Sequence, residues 1–394
     1  MFQEPKLRID TNQSILKQLY EQIIPGELLV SYDLSTYGVK AIDTSGNAIT
    51  SNTPRKDIRI IGQNEKVTHT TGYVGSEIEV NLSYDIYQLR EAKWRLDSMF
   101  KFSGGYTSVI KNIGLKSYET FHLLLPEAYA SDPSMKINSV RFLRYYLTET
   151  TKAIFNKTCP LLFKEAHVDA AGVECSLYPM TELAYTLLKS EFIRIFDIYK
   201  ILGFTDIPEG AGVHTYIDYI LFGEDKAFQI EGIKRFLWFL FNNGYHMSKI
   251  SCRKFEDSLR SDIYHLLGDD VILCSSSDLK NKFLSIKDDI INGFIKGNRI
   301  DSLNMIINKS PKDSFGRSIG SPIGALEYRW WAATTNPDTF MAYIEFGFII
   351  NKFLKSLKEY EKVTFNDFYL YLENSGEGHN LAKLIQSKLL ITQW

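Results

Sequence analysis

The chain has 394 residues, with 45 Lys plus Arg against 47 Asp plus Glu for a formal net charge of −2, and it is 44% hydrophobic and 13% aromatic. Such a composition excludes a disordered chain, and the charge balance supplies no global field to draw in nucleic acid or an anionic membrane. The length suits one large core carrying insertions, or two domains.

The first residues, "MFQEPKLRIDTNQSILKQLY", lack the apolar stretch of a signal peptide, and the longest apolar runs, such as "FLWFLF" at 236–241, fall short of a bilayer span of roughly 20 residues. A soluble, cytoplasmic protein is expected, with no membrane partner. Cys159, Cys175, Cys252 and Cys274 have no C-x-x-C spacing, so reduced thiols are expected, with neither a zinc ribbon nor a redox pair.

Residues 1–70 are polar and turn-rich, with short strands expected in "LLVSYDL" and "GVKAIDTSGNAIT" and a loop at "SNTPRKD". Large apolar residues are too few there for an independent core, so this stretch reads as an N-terminal arm or small β-meander lying on something else. Next comes "YVGSEIEV" at 73–80, an apolar strand pattern interrupted by Glu77 and Glu79. Side chains alternate along a strand, so these two carboxylates share one face while Ile78 points the other way. An insertion of about 83–164 follows, with "FSGGYTS" as a loop and a helix at roughly 138–156.

The segment "EAHVDAAGVECSLYPMT" reads as strand and turn feeding a helix that Thr181 caps, with Leu188, Phe192, Ile195, Phe196, Tyr199 and Leu202 as its apolar stripe and Gly203 as its stop. A strand in "AGVHTYIDYILFG" precedes the amphipathic helix "FQIEGIKRFLWFLFNNG", and further helices are expected near 254–267, 278–295 and 299–308. The strand "GALEYRWWAA" runs into a long helix from about 338 to 359, and the tail, 361–394, reads as two short helices around "NSGEGHN". Strands dispersed among helices without βαβ alternation predict an α+β protein, an antiparallel sheet covered by helices.

Polar residues recur at alternate positions in these strands. Glu174 shares a face with Ser176; His214 with Tyr216 and Asp218; Glu327 with Arg329. As neighbours, such strands would line one concavity with acids, a histidine and an arginine. Magnesium–nucleotide chemistry suits it, because Mg²⁺ takes hard oxygen ligands from one or two carboxylates plus phosphate, while arginine stabilises charge on a transferred phosphoryl group.

The ordered set "YVGSEIEV", "VDAAGVECSLYP", a long helix, "GAGVHTYID", "SKISCRKF" and "LEYRWWAATTNPDTF" resembles the amidoligases, carboxylate–amine ligases related to glutamine synthetase and glutamate–cysteine ligase. The resemblance covers roughly 73–82 and 165–355, within a domain placed at 71–360. It implies a curved antiparallel sheet, a glutamine synthetase-like catalytic domain, and ATP- and Mg²⁺-dependent amide-bond formation through an acyl phosphate. By the same resemblance Glu77, Glu79, Glu174 and Glu327 are magnesium ligands, and His214 sits near a metal or phosphate. Arg253 and Arg329 contact nucleotide phosphates or the acyl phosphate, and the substrates are small-molecule or peptide carboxylates and amines.

One departure is Tyr216, which stands where the family pattern has a second histidine. Residues 1–70 and 83–164 have no counterpart. The family occurs in bacteriophage genomes among other places, which would put the chain in the host cytoplasm or the virion. The competing function is therefore a noncatalytic structural or assembly protein, including one of a phage, that keeps a degenerate ligase scaffold and meets a protein partner through residues 1–70.

Plainer readings stand beside these roles. Alternating charge is ordinary on a solvent-facing strand, His214 fits a hydrogen-bonded core histidine, Arg329 beside two tryptophans fits a cation–π partner, and Arg253 fits a basic helix start. The Gly-rich "EGAG" and "SGG" lie in no βαβ unit, no G-x-S-x-G occurs, and the aromatic residues come without a basic stripe.

Overall fold

A computed structural model describes residues 33–80, 155, 159–168, 173–202, 212–252, 307–309, 325–357 and 363–389. Expectations for 1–32, the bulk of the 83–164 insertion including its helix, the helices near 254–267 and 278–295, and Arg253 lie outside these residues.

The protein is α+β. Strands β1 (Val39–Ile42) and β2 (Arg59–Gly62) form an antiparallel pair. The main sheet holds β3 (Val74–Val80), β4 (Phe163–Val168), β5 (Val173–Leu177), β6 (Gly212–Asp218), β7 (Ile307–Lys309) and β8 (Ala325–Ala332) in the order β4-β5-β3-β6-β8-β7. Every pairing in it is antiparallel. Among the described residues the α-helices are α1 (Glu182–Leu187), α2 (Lys189–Leu202), α3 (Tyr219–Phe222), α4 (Lys226–Asn242), α5 (Gly244–Ser251), α6 (Pro337–Ser356), α7 (Phe365–Ser375) and α8 (His379–Leu389).

Helix starts are set by local chemistry. Thr181 caps α1 by accepting from the Ala184 amide, and Asn336 caps α6 through Asp338 and Thr339 with Pro337 in the first turn. Thr364 and Asp367 form a capping box at α7. No helix among the described residues is long and apolar enough to cross a membrane. The described cysteines, Cys159, Cys175 and Cys252, are free thiols.

The core fills the space between one face of the main sheet and the helices. Val74, Ile78, Cys175, Val213, Ile217 and Leu326 meet Phe192, Phe196, Phe236 and the apolar faces of α6. Close approach of α6 to β3 and β6 occurs at Gly347, where an added Cβ would lie 3.0 Å from Thr215 Cγ2 and 3.2 Å from Val74 Cγ1. Trp331 stacks on Tyr343 with ring centroids 4.3 Å apart and donates its indole N–H to Thr215 Oγ1 at 3.1 Å, locking β8 to β6 and α6 together.

Several boundaries differ from the sequence expectation. The expected single helix after Thr181 is two, α1 and α2, parted at Leu188, whose backbone (φ −100°, ψ 10°) leaves the helical range before α2 starts at Lys189. The strand expected through Gly223 stops at Asp218, whose carboxylate accepts from the Ile220 amide and starts α3 instead. Asp218 also lies within electrostatic reach of the buried Arg59. Residues 307 and 308, expected as the end of a helix near 299–308, lie instead in edge strand β7, paired to β8.

The β1–β2 pair lies on the rest of the protein. Ile60 N donates to Pro179 O and Thr181 N to Ile60 O, while Val39, Ala41, Ile58 and Ile60 join the main core. On the opposite side Ile42 and Ile61 pack with Tyr73, Tyr216 and Ala325 in a small second cluster.

Candidate functional site

On the sheet face away from the main core, the antiparallel register brings the polar positions into files. Glu77 lies opposite Ser176 on one side and His214 on the other, Glu79 opposite Glu174, and Tyr216 opposite Glu327. Only neighbouring strands do this, and β5, β3, β6 and β8 are consecutive in the sheet. A β-bulge interrupts the β6–β8 register between Val213 and Thr215, where their partners Trp331 and Tyr328 are three residues apart. Strict alternation, which would put only Leu326, Tyr328 and Trp330 toward the core, is broken there: Tyr328 and Trp331 pack edge-on against each other among the helix-side aromatics.

The resulting cluster is tightly buried, with Glu77 and His214 4% exposed and Glu327 2%. His214 Nδ1 lies 3.5 Å from Glu77 Oε2 and 3.2 Å from Glu327 Oε1, and its Nε2 lies 3.4 Å from Glu79 Oε1. The Tyr216 hydroxyl donates to Glu77 Oε2 by a short bond and to Glu327 Oε1 at 3.4 Å. Ser176 Oγ donates to Glu77 Oε1 at 3.1 Å, Arg329 Nη1 to Glu327 Oε1 at 3.0 Å, and the Gly212 amide to Glu79 Oε2 at 2.6 Å.

The two central acids are held differently. Burial pushes Glu77 up, but the bond and charge of His214, the Tyr216 hydroxyl and the Lys164 ammonium together hold it below the usual carboxylate range. For Glu327 burial prevails over His214 and Arg329, and its carboxyl is raised. The Tyr216 phenol is pushed well up by burial and by Glu77 and Glu327, so it serves as a proton donor to both.

No protein-family model, curated protein or solved structure matches this chain. The donor chemistry must therefore be judged on its own. Glu77, His214 and Glu327 each offer a ligand atom, and these atoms all lie within 4.8 Å of one another. Glu327 Oε2 is buried without a hydrogen-bond partner. Bringing carboxylates this close in a low-dielectric place costs several kcal/mol per ion unless a cation compensates, and carboxylates with one imidazole suit a divalent metal. The set fits such an ion.

Of the residues singled out in the sequence, Glu77, Glu79, His214, Tyr216, Glu327 and Arg329 come together. Arg329 is at the rim, its side chain 35% exposed. Glu174 is half-buried one strand out, between Glu79 and His167 in the register. Three contributors had gone unnoticed or unused: Ser176 as a donor, the Gly212 amide, and Lys164. The Lys164 ammonium is buried 3.2 Å from Glu165 Oε1, at an irregularity in β4. Glu165 faces Ser176 in the register, and His167 Nε2 lies 3.2 Å from Glu165 Oε2. Burial raises Glu165, yet the His167 bond and the Lys164 charge hold it at about 2. The register irregularity beside Lys164 has no local sequence mark.

Proposed function

We propose that the chain is an ATP- and Mg²⁺-dependent carboxylate–amine ligase built on a glutamine synthetase-like catalytic domain. One observation carries the reading: Glu77, His214 and Glu327, from separate strands, present ligand atoms within 4.8 Å of one another in a buried cluster. Mg²⁺ would neutralise carboxylate and phosphate oxygens, and ATP would supply the phosphoryl group that turns a carboxylate into an acyl phosphate open to an amine.

Within that chemistry, Glu77, Glu327 and His214 hold the metal. Tyr216 fixes the two glutamates relative to each other through its hydroxyl. Arg329, anchored on Glu327 and part-exposed at the rim, would set its guanidinium against phosphate or acyl-phosphate oxygens. Burial of the cluster keeps water away from an activated acyl group that would otherwise hydrolyse. Glu174 lies one strand farther out and serves as the outer acid of the same face. Arg253 keeps its proposed phosphate role from the resemblance alone.

The test is purified protein incubated with ATP, Mg²⁺ and panels of carboxylates with amino acids or polyamines. Amine-dependent phosphate release, lost in Glu77→Gln, is expected; no release with any panel, together with no thermal shift on adding Mg–ATP, overturns the reading.

A noncatalytic assembly protein is the second reading, favoured by Tyr216, whose hydroxyl bridges the acids where the family pattern has a histidine. Residues 33–62 give it less support than an unattached arm would, since Val39, Ile58 and Ile60 are part of the chain's own core.

A further inference from the structure

Resting on that metal-binding reading, we propose that Ile61 on β2 is a positioning residue of the metal site, acting through the ring of Tyr216 to keep its hydroxyl on both Glu77 and Glu327. The strand that carries Ile61 is buried along its whole length. Ile60, with Ile58 just before the strand, enters the main core, whereas Ile61, at the alternate position, packs on the opposite side. There it shares a small cluster with Tyr216, Ile42, Tyr73 and Ala325, separate from the main core. Arg59, wholly buried, lies within electrostatic reach of Asp218, two residues beyond Tyr216 along β6. The backbone of β2 is fixed as well, since Ile60 N donates to Pro179 O and Ile60 O accepts from Thr181 N. The β1–β2 pair, which has no counterpart in the amidoligase pattern, is thus a wall beside the acids.

Placement of the ring matters because one hydroxyl serves two acids. It donates to Glu77 Oε2 by a short bond and reaches Glu327 Oε1 only at 3.4 Å, long for an O–H···O bond, so a small displacement leaves it to Glu77 alone. Strand pairing holds the Tyr216 backbone between Gly75 and Glu327, and what freedom remains is in the side-chain torsions, which neighbouring atoms limit. Gly75 has no side chain to confine the ring and Ala325 has a single methyl. The bulk in this cluster therefore comes from Tyr73, Ile42 and Ile61, and Ile61 is a stiff, β-branched side chain with no exposed surface. A partner that hydrogen-bonds metal-ligating carboxylates typically costs about 10–100-fold in metal affinity when lost.

The test is a double-mutant cycle on the full chain, read by calorimetric binding of Mn²⁺. Tyr216→Phe should weaken Mn²⁺ binding about 10–100-fold. Ile61→Ala should cause part of that loss, about threefold or more, in the wild-type background and none in the Tyr216→Phe background, while Ile61→Val keeps the affinity within about twofold. An equal loss from Ile61→Ala in both backgrounds overturns the proposal, because a merely loosened fold would act with or without the hydroxyl; so does the absence of a loss from one or the other single substitution. In metal-free protein the ¹³Cζ resonance of Tyr216, assigned by its disappearance in Tyr216→Phe, reports the hydrogen bonds of the hydroxyl. It should move in Ile61→Ala and stay in place in Ile61→Val; an unmoved resonance in Ile61→Ala overturns the proposal whether or not a metal binds. Should Ile61→Ala not fold, Ile61→Leu, which keeps the volume but loses the β-branch, takes its place in both measurements with the same expected result. Failure of the wild type to bind Mn²⁺ would refute the metal reading and leave the resonance to decide for Ile61.

Discussion

Glu345 on α6 and Glu327 on β8 are almost equally buried, at 3% and 2% exposure, yet their surroundings differ in kind. Glu345 Oε1 accepts from the Tyr185 hydroxyl at 2.9 Å, the Lys189 ammonium at 3.0 Å and the Asn380 amide at 2.9 Å, and its Oε2 accepts from the Leu381 backbone at 2.9 Å. Donors from α1, α2 and the first turn of α8, among them the Leu381 backbone amide, thus converge on a single acid, which also suits the positive end of that helix. Around Glu327 the set is incomplete: Tyr216, His214 and Arg329 all converge on Oε1, a second acid shares the histidine and tyrosine, and Oε2 lacks a hydrogen-bond partner. A buried carboxylate with a full set of donors rivets helices together. A buried acid with an oxygen left unpartnered, beside a second acid and an imidazole, is poised for a cation.

Substitution should separate these two kinds of acid sharply. Glu345→Leu strands buried donors worth about 1–3 kcal/mol each and should lower unfolding stability by about 3–4 kcal/mol, read by urea denaturation. A loss below about 1 kcal/mol, the ordinary surface range, would refute its rivet role. At the other acid, Glu327→Gln should weaken Mn²⁺ binding more than about 100-fold, measured by calorimetry, with an unchanged far-ultraviolet circular dichroism spectrum.

The same Glu327→Gln protein, free of metal, should be more stable than wild type by about 1 kcal/mol, because a neutral amide removes carboxylate repulsion and desolvation cost. Opposite signs at Glu345 and Glu327 are the core of the comparison, and equal destabilisation would erase it. Mn²⁺ at about 100 times its dissociation constant should then stabilise wild type by about 2.7 kcal/mol and Glu327→Gln by nothing measurable, as read from the shift in thermal midpoint. The smallest effect belongs to Lys352, which bridges Glu182 at 2.8 Å and Glu377 at 3.0 Å on the half-exposed outside of the helices. Lys352→Met should change stability by no more than about 0.5–1 kcal/mol, fading with added salt.

Much of the site was legible along the chain. Period-two alternation in "YVGSEIEV", "GVECSLYP", "GVHTYID" and "ALEYRWW" assigned Glu77, Glu174, His214 and Glu327 to polar faces, since a strand's pleat fixes side-chain direction locally. Thr181, Asn336 and Thr364 were equally local, because a cap is a bond within one turn of the backbone. The break at Leu188, the capture of Asp218 by α3 and the strand at Ile307–Lys309 were not legible, for each depends on what packs or pairs from elsewhere. Glu345 drew no notice at all, since the donors that satisfy it come from residues about 35 to 160 positions away.

What the sequence by itself determined is therefore which residues share a face and where helices begin, both governed by the few backbone angles and bonds within a turn. Tertiary structure alone decided that β5, β3, β6 and β8 lie side by side, that a bulge sits opposite His214, and that Glu79 meets the far side of the imidazole. Strand pairing joins distant segments through backbone hydrogen bonds common to every residue, so the choice of neighbour is made by the packing of the whole core and leaves no mark in any one stretch.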